Sequence, residues 1–349
     1  MRFAPALAVV GFVAVSTVYL ATSYAPKSTN FLQTASQDVD LTFINYIGKY
    51  QKSYQTLEEF LQRMEVFARN AEVINEHNSQ NGGYRMGVNK FSDLTEEEMR
   101  ARLGLIKRHG GRKIDGENSF IIFNTTDLPS SVDWRPTGAV TPVQDQGSCG
   151  SCYAFSAVGA IEGAYWKATN KTTDLSVQQV VDCADGEWQN QGCGGGLPDY
   201  VFDYVWDNGL QTNVTYPYTG GNGYCNDEPS DYVVTLTHYY DVTHLNPDQL
   251  KGAVSQVGPI SIGVGAGNVA WFNYAGGIID NADVCKPNLD HAVLLVGYGS
   301  ESGKDYWIVK NSWGSDWGEK GYVRILISSG YGVCGVNMTP LFPTIKLLH

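Results

Sequence analysis

Seven cysteines, at positions 149, 152, 183, 193, 225, 285 and 334, constrain this chain more than any other feature. After Arg2 no charged residue appears until Lys27, and Phe3 to Leu20 is apolar or small. Ala21-Thr22-Ser23 and Ser23-Tyr24-Ala25 offer small residues for cleavage, so residues 1–23 are expected to be a secretory signal peptide. A secreted chain can form disulfides, and an odd cysteine count leaves one thiol over, which marks it as a candidate reactive group. Two cysteines stand three apart in Gln146-Gly147-Ser148-Cys149-Gly150-Ser151-Cys152, before an apolar run that begins Tyr153-Ala154-Phe155. Three chemistries use that spacing: a redox pair, half of a metal site, or a nucleophile beside a structural cysteine.

With 349 residues, 43% of them apolar and 17% charged, the chain has material for more than one folded unit and a sizeable core. The net charge of −12 is carried by one part. From Leu128 on there are 22 Asp+Glu against 10 Lys+Arg, whereas the two kinds balance before it. This acidity argues against nucleic acid or an anionic membrane as partner, and it suits an acidic compartment. Sequons at Asn124, Asn170, Asn213 and Asn337 agree with the secretory route.

Gln55 to Asn78 has helical periodicity, with Glu59, Arg63, Phe67, Asn70, Ile74 and Asn78 on one face at steps of three and four, so that Glu59 can pair with Arg63. Gly87, Asn89, Phe91 and Asp93 follow at alternate positions. Residues 107–127 are basic and Gly-containing, then polar, and are expected to be an exposed linker suited to cleavage. From Leu128 the pattern is first helical, over Ser151–Ala168, Ser176–Ala184 and Leu197–Asn208, with Asn246-Pro247 opening another helix. After Pro259 it turns to short strands at Ile260–Val264, Ala292–Tyr298, Tyr306–Val309 and Tyr322–Ile327. A helical part followed by a strand part predicts an α+β fold of two lobes with a cleft between.

A thiol attacks as thiolate, and a helix N-terminus or a neighbouring imidazolium favours that form. Cys152 opens the long apolar segment. Of the six histidines, at 77, 109, 238, 244, 291 and 349, His291 heads an apolar strand in Asp290-His291-Ala292-Val293. Asn311-Ser312-Trp313-Gly314 supplies an amide able to hold an imidazole in one orientation, and an indole able to keep water off that contact.

With these pieces, residues from Leu128 on resemble the papain-like cysteine proteases, and the two strings before them resemble the inhibitory propeptide of the cathepsin L-like branch. The resemblance runs from Gln55 to Pro343. It implies a helical lobe and a β-barrel-like lobe with the active-site cleft between, behind a helical propeptide, with boundaries at 24–127 and 128–349. It implies Cys152 as nucleophile paired with His291, Asn311 orienting His291, Trp313 shielding that contact, and Gln146 donating to an oxyanion hole. It implies disulfides Cys149–Cys193, Cys183–Cys225 and Cys285–Cys334, which leave Cys152 free. Gly194, Gly195 and Gly196 would pair with an extended peptide. Leu197, Pro198, Ala266, Leu289 and Pro340, beside Asp290, would line an apolar pocket for the second residue before the scissile bond. Tyr153 stands where most relatives carry Trp, which changes packing rather than chemistry, and Gly194 stands where Asn is common. Asn337 lies close enough to Cys334 for the fold to block its glycosylation.

The expected activity is that of a monomeric endopeptidase, made as a zymogen, that needs no cofactor or metal. Its partners would be peptide and protein substrates, its own propeptide and protein inhibitors of cysteine proteases. Its expected location is the secretory pathway: a lysosome or other acidic digestive vacuole, or secretion. The competing readings are a catalytically silent inhibitor or binding homologue, and an exopeptidase or transpeptidase variant. The first is opposed by the presence of Gln146, Cys152, His291 and Asn311. The second is opposed by the lack of an inserted loop or histidine pair between Cys193 and Tyr224.

Overall fold

The computed structural model describes residues 32–80, 82–107, 119–282 and 284–348, with side chains from residue 41 onward. The expected signal peptide, His109, His349 and the basic stretch 108–118 lie outside these. The chain divides at Tyr54 into two units. In the first, helix α1 (Leu32–Tyr50) carries Phe43, whose ring stacks with Tyr46 and Tyr54, each at 5.9 Å.

The second unit opens with α2 (Leu57–Ser79), capped by the Thr56 hydroxyl, which accepts from the Glu59 amide. Its apolar stripe buries Phe67 and Ile74. On the same face Asn70 donates to the carbonyls of Ser92 and Leu94, and Asn78 exchanges two bonds with Met86. These amides hold strand β1 (Tyr84–Met86) and the turn after it against the helix. A short helix α3 (Glu96–Arg100) follows, closed by a Thr95/Glu98 capping box. The expected Glu59–Arg63 pair is not what forms. Arg63 reaches off its helix to make a two-pronged bond with Glu98, at 2.5 and 2.6 Å, while Glu59 accepts from the Gln55 amide at 2.8 Å. A guanidinium fork fits a carboxylate facing it from another helix better than one a turn away on its own.

From Cys152 the expected helices stand within two residues of where periodicity and caps put them: α4 (Cys152–Thr169), α5 (Val177–Cys183), α6 (Pro198–Asp207) and α7 (Pro247–Gln256). A one-turn α8 (Val269–Phe272) follows. Asn246 caps α7 by accepting from the amides of Asp248 and Gln249. The strands are β2 (Phe120–Ile121), β3 (Val132–Asp133), β4 (Val234–Val242), β5 (Ile260–Val264), β6 (Tyr274–Ile279), β7 (His291–Glu301), β8 (Lys304–Lys310), β9 (Tyr322–Leu326) and β10 (Leu341–Leu347). They run in the order β1-β6-β9-β8-β7-β5-β10-β4-β2, with β3 beside β7. Besides the short β1, β2 and β3, three longer strands were not foreseen. β4 is rich in threonine and histidine, β6 holds Gly276 and Gly277 at positive φ, and β10 carries Pro343; each weakens the local strand signal.

Strand β7 divides the interior. Ala292, Leu294 and Val296 join one core with α4, α5 and α6, while Val293 and Leu295 join the other with Trp271, Trp307 and Trp317. Alternation along a strand sends successive side chains to opposite faces, so one strand serves both lobes and its first residue, His291, sits where they meet.

The expected exposed linker is only partly so. β2 pairs in parallel with Asp241 and Val242 at the end of β4. Phe123 is 8% exposed, packs its ring at a tilt against Phe342 at 5.8 Å, and has both backbone groups bonded to the Gln249 side-chain amide at 2.8 and 3.0 Å. Burying one aromatic ring is enough to fasten this polar stretch.

Candidate active site

The turn before α4 is pinned at three points. The Gln146 amide N–H donates to the Ser312 carbonyl at 2.8 Å, Gly147 takes φ +66°, and Cys149 is bonded to Cys193, with Cα atoms 4.6 Å apart. The other pairs are Cys183–Cys225 and Cys285–Cys334, and Cys152 is the free thiol. The redox-pair and metal-half-site readings of the 149/152 spacing end here, because the Cys149 sulfur is bonded to Cys193 and offers no thiolate to a metal or to Cys152. Tyr153 donates its hydroxyl to the Gly192 carbonyl at 3.0 Å and lies beneath Gly196, tying α4 to the glycine loop.

Cys152 is the first residue of α4 and fully buried. Its sulfur accepts from the backbone amides of Gly104 at 3.2 Å and Ala292 at 3.5 Å. His291 is also fully buried. Its Nε2 lies 2.8 Å from Asn311 Oδ1, and its Nδ1 has no hydrogen-bond partner. The Trp313 ring stands 4.9 Å from the imidazole. Gln146 is oriented by Ser312, whose hydroxyl donates to Oε1 at 2.6 Å, so Nε2 is aimed at two carbonyls, Cys149 and Arg102, at 2.8 Å each. The fold thus brings together Cys152, His291, Asn311, Gln146 and Trp313, drawn from a turn, a helix, a strand and a loop.

Residues 102–106 lie across this group as an extended peptide. Gly196 donates to the Gly104 carbonyl at 2.8 Å and accepts from Ile106 at 3.3 Å, and Leu105 donates to the Asp290 carbonyl at 3.1 Å. The approach is close enough to demand glycine. A Cβ at 104 would collide with the Gly150 carbonyl, and one at Gly195 would lie 2.6 Å from the Gly104 carbonyl. Phe91 packs edge-on against Trp313 at 5.6 Å, Asn89 donates to the Phe272 carbonyl at 2.8 Å, Gly87 donates to the Asn273 carbonyl, and the Asp93 carbonyl accepts from Arg63. The Gly87–Asp93 string is therefore what carries the N-terminal segment onto the lobe that holds His291. Burial pushes the Cys152 thiol up to about 11 and His291 down to about 4, so the covered pair is neutral.

Beside Leu105 lies a cavity of ≈ 410 Å³ lined by Leu197, Pro198, Gly263, Leu289, Thr339 and Leu341, among others. Two expected wall residues, Ala266 and Pro340, do not line this cavity, whereas Gly263, Thr339 and Leu341 do. Near Gly263 the space is bounded by Thr339, Leu289 and Leu105, at 2.8, 3.1 and 3.2 Å from where a Cβ would stand. Ala266, fully buried, instead donates its amide to Asp290 Oδ1. Of the sequons, Asn124 and Asn170 are exposed and Asn213 is half-buried, bonded to Asp174. Asn337 is 1% exposed, with its amide committed to the carbonyls of Ser328 and Gly330.

Sequence reasoning missed Glu98, Gly104, Leu105, Gly263 and Thr339. Only Glu98 carried a usable signal, the Thr95-x2-Glu98 spacing of a capping box.

Fold and site together define a class: a two-lobed protein with a buried thiol, imidazole and amide where its lobes meet, covered by its own N-terminal segment. The papain family cysteine protease model matches residues 128–344, and the cathepsin propeptide inhibitor domain model matches 43–99. The cysteine proteinase RD21A of Arabidopsis thaliana is 43% identical over 85% of this chain, and the match spans 64% of that protein's length. A cathepsin L-like peptidase of Aedes aegypti is 38% identical over 85% of this chain and 91% of its own. The solved digestive procathepsin L2 proteinase of Tenebrio molitor larval midgut superposes with a TM-score of 0.80 at 35% identity, over 88% of this chain and 99% of that one. The chain belongs to the papain family of cysteine proteases, in its cathepsin L-like, propeptide-bearing form.

Proposed function

We propose that the chain is made as an inactive zymogen and, once the segment up to residue 127 is removed, acts as a cysteine endopeptidase on peptides and proteins. The observation that carries this is the path of residues 102–106: a peptide backbone seated with one carbonyl on the Gln146 amide and one N–H on the Cys152 sulfur. A cleft that holds a peptide so can hold a substrate. In the open cleft, water and the α4 N-terminus favour a thiolate–imidazolium pair between Cys152 and His291. The sulfur attacks the scissile carbonyl. The developing oxyanion takes the place of the Arg102 carbonyl before Gln146 and the Cys152 backbone N–H. His291, held by Asn311 and covered by Trp313, gives its Nδ1 proton to the leaving amine, and water then hydrolyses the thioester. Leu105 against Leu289, Gly263 and Thr339 supports a preference for an apolar residue two before the scissile bond.

Three disulfides, an acidic catalytic part and relatives named as digestive support the secretory pathway and an acidic compartment as the place of work. Protein inhibitors that enter the same cleft are further partners on this reading. The test is to acidify the purified zymogen and follow a long, internally quenched peptide with leucine or phenylalanine at that position. Thiol-dependent cleavage at internal bonds is expected after processing, and none from Cys152→Ala. Absence of turnover sinks the enzymatic reading, and release of single terminal residues sinks the endopeptidase reading.

A further inference from the structure

Lys90, within the Gly87–Asp93 string, carries an ammonium group that the papain-type mechanism does not use. Its Nζ sits between two carboxylates of the catalytic part, 2.6 Å from Asp145 and 2.8 Å from Asp316. Arg102 converges on the same place, donating to the Gly147 carbonyl and feeling the charge of Asp145. The covering segment therefore brings two cations to one acidic notch.

The notch is built by the backbone. Asp145 and Trp313 form an antiparallel bridge, and Gly314 donates its amide to the Gln144 carbonyl at 3.0 Å. Gly314 stands at φ +78°. A Cβ there would lie 2.7 Å from Asp316 Oδ1, 2.8 Å from Lys90 Nζ and 3.1 Å from Asp145 Oδ2, so the missing side chain leaves the room that the ammonium fills. Asp145 also accepts from the Gly147 amide at 2.9 Å, which fixes its carboxylate. Both carboxylates stay partly exposed beside Lys90, at 44% and 51%. When the segment leaves, each lies within bonding distance of the vacated point with no cation between them, and such a like-charged pair draws in another.

Its position gives it a role. Asp145 is next to Gln146, and Asp316 is close to Trp313. Gly196, which pairs with Leu105 and Ile106, lies on the other side of the Cys152 sulfur from the Arg102 carbonyl. A substrate whose acyl part pairs with Gly196 thus runs its leaving-group part past Gln146 and Trp313.

We propose that Asp145 and Asp316 form a subsite for a lysine or arginine side chain on the leaving-group side of the scissile bond, within the first three residues after it. The inference rests on the protease reading above. Two partly exposed ion pairs correspond to about 3- to 10-fold in kcat/KM.

The test uses enzyme processed from the full chain and internally quenched peptides sharing one apolar acyl side. Lysine or glutamine is placed at each of the first three leaving-group positions, and a control pair carries the exchange on the acyl side. The processed enzyme should favour lysine over glutamine by the stated factor at one leaving-group position, and the ratio should fall as salt is raised. In Asp145→Asn/Asp316→Asn the ratio should fall to about one, with Asn retaining an acceptor for the Gly147 amide, while the acyl-side ratio stays as in the unsubstituted enzyme. Cleavage of the glutamine peptides with no lysine preference overturns this subsite alone, as does a preference that survives the double substitution. No cleavage of any peptide overturns the protease reading and the subsite with it.

Discussion

In the covered site Cys152 and His291 are held neutral between about pH 4 and about pH 11, because both are fully buried and water is excluded. A neutral thiol is a poor nucleophile, so on the proposed mechanism the cover would silence Cys152 by keeping it uncharged as well as by blocking access. At pH 6, alkylation of Cys152 by iodoacetamide should be at least about tenfold slower in the zymogen than in the processed enzyme. Equal rates would show that the cover does nothing to the thiol. Gln146 answers to a different measurement. Gln146→Ala should lower kcat by about 10²- to 10³-fold with little change in KM, since on the proposed mechanism its amide meets the scissile carbonyl, in the place now held by the Arg102 carbonyl, as that carbonyl becomes an oxyanion. A loss below tenfold would remove it from that role. Cys152, His291 and Gln146 were legible in the sequence because each sits in a tight local string. Gly263 and Thr339 were not, because which residue of a strand or loop faces a pocket depends on register.

At the scale of elements, the covering segment depends on α2, α3 and the extended strip between Arg102 and Ile106. Gly104→Val should prevent that strip from seating, as its side chain meets the Gly150 carbonyl. The variant zymogen should turn over peptide at neutral pH, where the parent is silent, and a silent variant would show that the strip is not what blocks the cleft. Arg63 holds the Glu98 carboxyl down to about 2 from its ordinary 4.5. A depressed carboxylate contributes stability above its ordinary value and loses it as pH falls through the lowered one. This pair therefore stays closed at pH 4–5 and opens only towards pH 2. Glu98→Gln should lower the zymogen's melting temperature at pH 6, with the gap closing near pH 2. A gap that closed by pH 4.5 would make the pair an acid trigger, which the lowered value argues against. Helix α2 and its apolar stripe followed from periodicity, but Arg63's partner did not. Glu98 is distant in sequence and reaches Arg63 only once the Asn70 and Asn78 contacts have folded the chain back.

The whole molecule is joined across its lobes by a buried polar link. Lys310, at the end of β8, donates to the Thr141 hydroxyl at 3.0 Å, and Thr141 donates to Glu162 on α4 at 2.7 Å. Burial raises Glu162 to about 7 and lowers Lys310. A carboxyl raised on folding binds its proton more tightly in the folded state, so ionising it costs stability. That cost is absent below about 4.5 and complete above about 7. On this account the processed domain gains stability as pH falls from 7 to 5, which suits work in an acidic compartment. Melting temperatures across that range should show a slope that Glu162→Gln flattens, and an unchanged slope would place its origin elsewhere.

The sequence by itself determined the helices from Cys152 on, the odd thiol, the glycine-rich turn before it and the resemblance that located His291 and Asn311. Each is set by contacts within a few residues or by composition that no fold can change. Tertiary structure alone decided that Arg63 meets Glu98, that Phe123 fastens the supposed linker, and that Gly263 and Thr339 line the cavity beside Leu105. It also placed Lys90 between Asp145 and Asp316. These outcomes turn on which distant residues share a space once β7 has divided its two faces between two cores, and no local pattern carries that information.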